Sequence, residues 1–291
     1  MHHHDGHHDG RLIKDLARLE LAQRRRLLSW LAGAGGLAAM GLHGCGGGSS
    51  GSNAETSSSS STGSESTTTT TAAAGSCSVI PEETSGPYPG DGSNTANGSI
   101  ANALALSGIV RSDIRSSIGS ASGTATGISL TLMIELVNTN GSCADLNGYG
   151  IYVWHCDAEG RYSMYSSGVT AENYLRGVQA SGSDGKVTFT TIFPGCYSGR
   201  MPHIHFEVYA STAAATAYTK ALRTSQIAFP TDVCSAAYAS SSAYSASVSN
   251  LASMSFASDM VFSDGYITQL ATVTGSPSAG YTATLKAGVA A

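Results

Sequence analysis

The chain has 291 residues, of which only 12% are charged, and its 15 Lys and Arg against 20 Asp and Glu give a net charge of −5. Soluble domains usually have about a quarter of their residues charged. The low and negative charge argues against a nucleic-acid-binding protein, which needs a basic surface to neutralise phosphates. The length allows one large domain or two small ones.

Residues 1–45 form a leader that differs from the rest of the chain. Residues 1–10 are histidine-rich and are either a purification tag or a natural leader, and Arg24, Arg25 and Arg26 precede an uncharged stretch of 17 residues, 29–45, that contains five glycines. Because a membrane-spanning helix needs about 20 mostly apolar residues, a cleaved export signal of the twin-arginine type is predicted. The end of the stretch resembles a lipoprotein cleavage box that would make Cys45 a lipid anchor. An uncleaved membrane anchor is the alternative.

Residues 46–76 are a low-complexity Gly/Ser/Thr segment. Such a segment buries too little apolar surface to offset the entropy of ordering, so it is predicted to be a flexible linker before a folded domain, residues 77–291. This organisation predicts an exported protein, either periplasmic or lipid-anchored at a bacterial membrane surface.

The folded domain has the pattern of an all-β protein. Residues 128–137 alternate between apolar and polar side chains, and residues 187–193 are rich in β-branched and aromatic side chains. The Asp-Gly pair in residues 183–186 is typical of a β-hairpin turn. The Ala/Ser-rich end, residues 235–291, is expected to form terminal strands and loops. The prediction is a Greek-key β-sandwich with few or no helices outside the N-terminal signal.

Cysteine usage indicates an oxidising compartment. Five cysteines follow the leader: Cys77, Cys143, Cys156, Cys196 and Cys234. The expected arrangement is two disulfides and one free thiol, and the spacing does not select among the pairings. A zinc site is less consistent with these cysteines, because no pair has CxxC spacing.

The candidate chemistry is concentrated around a histidine pair. His203 and His205 would share one face of a strand, with Ile204 on the opposite face. Two neutral imidazoles on one face can chelate a metal, although such a pair alone is also typical of surface or hydrogen-bonded histidines. A Pro-Gly turn just upstream brings Tyr197 and Arg200 close to the pair in sequence.

Together these segments resemble the intradiol ring-cleavage dioxygenases, the non-haem Fe(III) enzymes that open catechols between the two hydroxylated carbons. The likeness covers roughly residues 77–230 and is greatest to the smaller, exported members of the family. It is carried by the segments PEETSGPYP (81–89), RSDIR (111–115), WHCDAEGRYS (154–163), LRGVQ (175–179), TIFPGCYSGRMPHIHFEV (191–208) and SQIAFP (225–230).

The resemblance implies an all-β intradiol dioxygenase fold and four ligands for Fe(III): Tyr162, Tyr197, His203 and His205. It implies that Tyr197 leaves the metal with a substrate proton, that Arg200 stabilises negative charge on the ring, and that Gln226 lies beside Arg200. The product would be a cis,cis-muconate-type diacid. The residue types agree, since phenolates stabilise hard Fe(III) and a bound metal lowers the pKa of a phenol.

Two alternatives stay open at this point. His155 could join His203 and His205 in a three-histidine zinc site, although a core position is the better interpretation of His155. The chain could also be an exported, metal-containing β-sandwich module that binds catecholates without turnover, which Arg200 and Gln226 argue against. The expected partners are a small catecholic substrate and O2, and no nucleic acid. The sequence leaves open which catechol is cleaved and whether the chain forms a homodimer.

Overall fold

A computed structural model describes residues 77–291. The predicted leader, the export signal, Cys45 and the linker lie outside the described residues. Within residues 77–291, no helix combines the length and the apolar character needed to cross a membrane.

The described residues form two main β-sheets and a separate hairpin. In chain order the strands are β1 (Asp91–Ala96), β2 (Ser99–Asn102), β3 (Ser129–Asn138), β4 (Ala144–Asp145), β5 (Gly150–Trp154), β6 (Arg176–Ala180), β7 (Lys186–Ile192), β8 (His203–Tyr209), β9 (Arg223–Ala228), β10 (Thr272–Ser276) and β11 (Gly280–Val289). In the first sheet β3 is central, with β11 parallel along one edge and β7 and β4 antiparallel along the other, while β10 extends the β11 edge. The second sheet has the antiparallel order β6-β5-β8-β9. Strands β1 and β2 form the hairpin.

The sandwich core lies between the two sheets, and the predicted alternation of β3 accounts for it. The inward-facing apolar side chains of this strand are fully buried: Leu130, Leu132, Ile134 and Leu136. Thr131, between the first two, is only partly buried. The apolar residues of β3 pack with inward-facing residues of the second sheet, among them Val153 and Phe206. The all-β sandwich prediction is therefore confirmed.

The second sheet is buried on both faces. On β8, Ile204, Phe206 and Val208 point into the sandwich core, so His203 and His205 lie on the outer face, as strand periodicity requires. All seven residues of β8 are buried. A second, smaller cluster covers the outer face and combines strand residues with segments before β3 and after β5: Ala103, Leu104, Ile109, Tyr152, Trp154, Cys156, Tyr162, Val178, Tyr209 and Ala215.

Two α-helices occur among the described residues, α1 (Thr231–Ala239) and α2 (Ser245–Ala252). The expectation of few helices is confirmed, but both lie in or next to the Ala/Ser-rich end, for which only strands and loops were expected. Cys234 and Tyr238 of α1 and Leu251 of α2 are buried and pack in the hydrophobic core. Short helices depend on such packing more than on propensity, which explains why weak periodicity did not reveal them.

The hairpin predicted at residues 183–186 is wrong. The turn itself forms, with the Gly182 N–H donating to the Lys186 carbonyl at 2.9 Å. However, β6 pairs with β5 and β7 pairs with β3, so the turn carries the chain from one sheet to the other. Pairing of β7 is decided by burial of Val187 and Phe189 in the core, which local turn chemistry does not encode.

The expectation of two disulfides is also wrong for the described residues. Cys77 and Cys143 form one disulfide, while Cys156, Cys196 and Cys234 are buried free thiols. The Cys156 and Cys196 thiols each contact a backbone carbonyl at 3.4 Å, those of Gly195 and Arg200. These three cysteines act as small apolar core side chains.

Candidate active site

Strand β8 carries the two histidines to the centre of the outer face. In the register of the second sheet, His205 lies between Trp154 of β5 and Gln226 of β9. The Trp154 ring stacks on the His205 ring at 4.8 Å with 5° between the planes. The Nε2 atoms of His203 and His205 are 3.1 Å apart, so the two imidazoles point their reactive edges at each other.

Two tyrosines from loops approach the histidine pair. Tyr197, between β7 and β8, places its hydroxyl 3.2 Å from His203 Nε2. Tyr162, which follows β5, has its ring centroid 5.7 Å from that of Tyr197 and 6.4 Å from that of His205. The structure thus brings together all four side chains that the sequence predicts as metal ligands, from three separate segments.

Close backbone packing brings the tyrosine loops together. Asp157 accepts hydrogen bonds from the Glu159 and Arg161 amides, which folds the turn before Tyr162. Gly160 in this turn has φ +82°, and a Cβ there would lie 3.1 Å from Tyr197 Cβ. Glycine is the residue that accepts both this backbone conformation and this approach.

The protonation of His203 follows from its second ring nitrogen. Nδ1 is 2.6 Å from the Met201 carbonyl and must therefore donate to it, which leaves Nε2 with a lone pair. That one lone pair faces the Tyr197 hydroxyl and His205 Nε2, and Arg200 Nη1 lies 3.5 Å away. Nearby, the buried Tyr162 hydroxyl and His205 Nδ1 have no hydrogen-bond partner. Such unpaired buried polar atoms are costly.

The pKa values of the four predicted ligands show that, without a bound metal ion, their charged forms are disfavoured. Burial lowers the pKa of both histidines well below the usual range, and the Arg200 guanidinium lowers it further, so both imidazoles are neutral. Burial raises the pKa of Tyr162 well above its usual value and that of Tyr197 to about 12. Without a bound metal ion, the site therefore holds neutral phenols and neutral imidazoles.

Arg200 and Gln226 lie directly beside the four side chains. The Arg200 guanidinium donates through Nη2 to Gln226 Oε1 at 2.6 Å and through Nε to both carboxylate oxygens of Asp259, at 3.0 and 3.2 Å. Gln226 in turn donates from Nε2 to the Thr84 carbonyl at 2.9 Å. The arginine is therefore held on two sides, and its Nη1 edge faces His203.

Comparison with known proteins identifies the family of this chain. The sequence matches the family described as Dioxygenase (Dioxygenase_C) over residues 111–266, which is more than half of the chain. The chain belongs to the intradiol dioxygenase family. The matched range contains the four predicted ligands as well as Arg200 and Gln226. A search of curated proteins finds no significant match.

Solved structures of dioxygenases resemble the fold. An intradiol ring-cleavage dioxygenase from Tetranychus urticae is 25% identical, covers 73% of this chain and 95% of its own, and superposes with a TM-score of 0.54. Dioxygenase Tetur07g02040 is 25% identical, covers 74% of this chain and 95% of its own, and also has a TM-score of 0.54. The dioxygenase domain of a dioxygenase carbohydrate-binding protein fusion from Streptomyces sp. SirexAA-E is 22% identical, with coverages of 73% and 98% and a TM-score of 0.43.

The donor set in this intradiol dioxygenase fits the non-haem iron that the family uses. The Tyr162 hydroxyl is buried and has no hydrogen-bond partner. The Nε2 atoms of His203 and His205 face each other at 3.1 Å, and Nε2 of His203 carries no proton. A cation would resolve both defects, because it accepts lone pairs and lowers the pKa of a coordinated phenol. Phenolate oxygen is a hard donor that suits Fe(III).

His155 does not join these ligands. It is buried with both ring nitrogens hydrogen bonded, Nδ1 to the Cys156 carbonyl at 2.8 Å and Nε2 to the Thr191 hydroxyl at 2.7 Å. Burial lowers its pKa to about 4, so it is neutral. In residues 77–291 no three His, Cys, Asp or Glu side chains are grouped to hold a metal ion. The hydroxyl of Tyr197, 3.2 Å from His203 Nε2, is a further side-chain oxygen close to this histidine pair.

Two residues at the site were missed from the sequence. Asp259 binds Arg200, and the Phe262 ring lies 5.7 Å from the Arg200 guanidinium carbon and 6.4 Å from the His203 ring. Both follow α2, outside the segments that carry the resemblance. The sequence shows that Asp259 is an acid in a region with few charged residues. It does not show that this acid is buried, which is what marks it as part of the site.

Proposed function

We propose that this protein is a Fe(III)-dependent dioxygenase that cleaves catecholic rings between the two hydroxylated carbons and releases muconate-type diacids. The observation that carries the proposal is that the Tyr197 hydroxyl and His205 Nε2 both lie within 3.2 Å of His203 Nε2, with the buried Tyr162 ring and a fixed guanidinium beside them. Tyr162, Tyr197, His203 and His205 would hold the iron, which when bound supplies a Lewis acid that orients and activates the catecholate.

In this proposal Tyr197 moves a proton. It is the one predicted ligand that is partly exposed, whereas Tyr162, His203 and His205 are buried. In this proposal its hydroxyl, 3.2 Å from His203 Nε2, would contact the entering substrate. Tyr197 would be held as a phenolate by a bound metal. Because burial raises the pKa of this phenol to about 12, its oxygen would be a strong base and would accept the proton of a catechol hydroxyl.

Arg200 would stabilise the negative charge that develops on the substrate ring. Its Nη1 edge is 3.5 Å from His203 Nε2 and faces the same point as the ligands. The group is nearly buried, and charge stabilisation by a fixed donor is strongest where water is excluded. Gln226 positions it by accepting from Nη2.

Access of water to the buried ligands would be limited by the segment before β1. The Tyr88 ring packs on the Tyr162 ring with centroids 4.9 Å apart. Gly86, with φ +69°, lies so close to His205 that a Cβ would be 3.3 Å from its Cε1 atom. This segment is tied to β9 through the Gln226 contact with Thr84.

We also propose that the protein is exported. The Cys77–Cys143 disulfide supports an oxidising compartment, in agreement with the predicted signal. A lipid anchor at Cys45 remains part of this proposal and is testable by mass spectrometry of the mature protein, where loss of the leader and an added lipid on Cys45 are expected.

Oxygen uptake with a catechol panel tests the proposed activity. Iron-loaded protein is mixed with catechol, protocatechuate or hydroxyquinol, and ring opening is followed by product absorbance. We expect uptake of one O2 per ring cleaved with at least one of them. Tyr197→Phe should strongly lower turnover, whereas Tyr218→Phe, an exposed tyrosine outside the site, serves as the control and should not.

Two outcomes would contradict the proposal. Tight catecholate binding without oxygen uptake would make the protein a binding module. Purified protein that contains stoichiometric zinc, and lacks the burgundy colour expected of tyrosinate bound to Fe(III), would exclude the iron assignment.

A further inference from the structure

The turn after α2 contains a fully buried carboxylate that the proposed reaction does not use. Asp259 has no solvent exposure. The turn is closed by its own backbone, since the Asp259 N–H donates to the Ser255 carbonyl and the Ser263 N–H donates to the Asp259 carbonyl, each at 3.0 Å. The position of this carboxylate is therefore defined by the turn.

Five hydrogen bonds converge on the Asp259 carboxylate. The Arg200 Nε–H contacts both oxygens, the Met201 N–H donates to Oδ2 at 2.6 Å, and two amides of the same turn, Val261 and Phe262, donate to Oδ1 at 2.8 and 3.1 Å. The carboxylate thus joins the turn to the chain that leads from Tyr197 into β8. Its oxygens are occupied by N–H donors of the protein itself.

The contacts of Arg200 leave one free edge. Asp259 holds Nε and Gln226 holds Nη2, so rotation of the guanidinium about its last bonds would break at least one of these bonds. The remaining Nη1 edge is the one directed at His203. The Asp259 charge also balances the charge of the buried arginine beside two imidazoles, a position where an unpaired cation is strongly disfavoured.

We infer that Asp259 is the positioning residue of Arg200, holding the guanidinium so that Nη1 faces the reacting ring. This inference rests on the proposed function, in which Arg200 stabilises charge on that ring. Asp259 acts through Arg200 and does not contact the substrate. The turn after α2 is therefore part of the catalytic apparatus, although it follows the segments in which the sequence locates the chemistry.

Kinetics of Asp259 variants test the inference. Asp259→Asn keeps the shape of the side chain and removes its charge, and misplacement of a catalytic group by about 1 Å can cost about 100-fold in rate. We expect kcat to fall by about that factor with little change in KM. Glu172→Gln is the matched control, because Glu172 also accepts a backbone amide and a hydroxyl, from Gly123 and Ser117, but outside the site. Its kcat should be that of the wild type.

A double-mutant cycle separates positioning from a general loss of structure. Arg200→Lys alone should lower kcat, and Asp259→Asn should add little to it, because the group that Asp259 positions is already gone. Losses that simply multiply would overturn the inference, as would a folded Asp259→Asn with full kcat. If Asp259→Asn does not fold, Asp259→Glu retains the charge and displaces the carboxylate. Full activity of that variant would also contradict the inference.

A measurement on iron-free protein distinguishes this inference from the proposed function. The Arg200 Nε–H signal in a ¹⁵N NMR spectrum, assigned with Arg200→Lys, should exchange slowly with solvent in the wild type and in Glu172→Gln, and rapidly in Asp259→Asn. Wild-type protein that cleaves no catechol would overturn the function, while the exchange rates would still decide whether Asp259 holds Arg200. Rapid exchange in the wild type would reject that role.

Discussion

The two faces of the second sheet are both buried, but they are stabilised differently. Towards the sandwich core, β8 places Ile204, Phe206 and Val208, which need only close packing. Towards the outer side, the same strand places His203, His205 and polar residues after them, which need partners for every donor and acceptor. The outer face is where Trp154 Nε1, Tyr162 Oη and His205 Nδ1 lack partners. These three unpaired atoms lie among the predicted ligands, whereas the core-facing residues of β8 have no polar side-chain atom that needs a partner.

Removal of a predicted ligand should have the largest effect on activity and should change only the outer face of the sheet. His203→Ala removes the imidazole whose Nε2 faces Tyr197 and His205. We expect loss of bound iron and of detectable ring cleavage, with the fold retained because the inner face is unchanged. Metal analysis measures the bound iron, oxygen uptake measures ring cleavage, and circular dichroism shows whether the fold is retained. Stoichiometric iron in this variant would contradict the ligand assignment.

Truncation on the inner face should have the converse effect. Phe206→Ala in β8 leaves a cavity in the core, and Phe-to-Ala changes in cores cost about 3–5 kcal/mol of unfolding free energy. Iron content and kcat of the folded fraction should stay near wild type, because the neighbouring histidines point the other way. Urea unfolding measures the free energy of unfolding, and an assay at low temperature measures kcat of the folded fraction. A loss of activity without loss of stability would show that the faces are not independent.

The pH dependence of stability tests Glu207, a buried acid on the outer face of β8. Burial raises the pKa of Glu207 to about 8, and the Asp91 carboxylate adds to the rise, while the Tyr209 hydroxyl donates to Glu207 at 2.6 Å. Because the folded-state pKa is above the unfolded one, this stabilisation is complete below about pH 4.3 and is lost as the pH rises to about 8. The loss is on the order of 5 kcal/mol across that window, since one pKa unit corresponds to about 1.4 kcal/mol.

Glu207→Gln should remove this contribution. Glutamine resembles the protonated acid and can still accept from Tyr209, so the variant should equal the wild type near the acid end of that window and exceed its stability at the alkaline end. Urea unfolding at the two pH values measures the difference, with Glu172→Gln as the control. An unchanged pH profile would show that Glu207 is ionised in the folded protein.

The candidate site was more predictable than the contacts that hold it. Tyr162, Tyr197, His203 and His205 lie in short segments with residue types suited to one metal, so their identity could be proposed from sequence, and the structure brings them together. Asp259 could not, because it reaches Arg200 across 59 positions of sequence and nothing local distinguishes it from an exposed acid. The partner of β7 was mispredicted for the same reason.

The sequence by itself determined which strands alternate, that His203 and His205 share a strand face, and that the chain resembles the intradiol dioxygenases. These properties depend on residue type and on the two-residue period of a strand. Only the tertiary structure decided that the turn at residues 183–186 joins two sheets, that Cys77 pairs with Cys143, and that Asp259 binds Arg200. Each of these joins residues distant in sequence, and such pairs are selected by burial and packing of the whole domain, which no local pattern records.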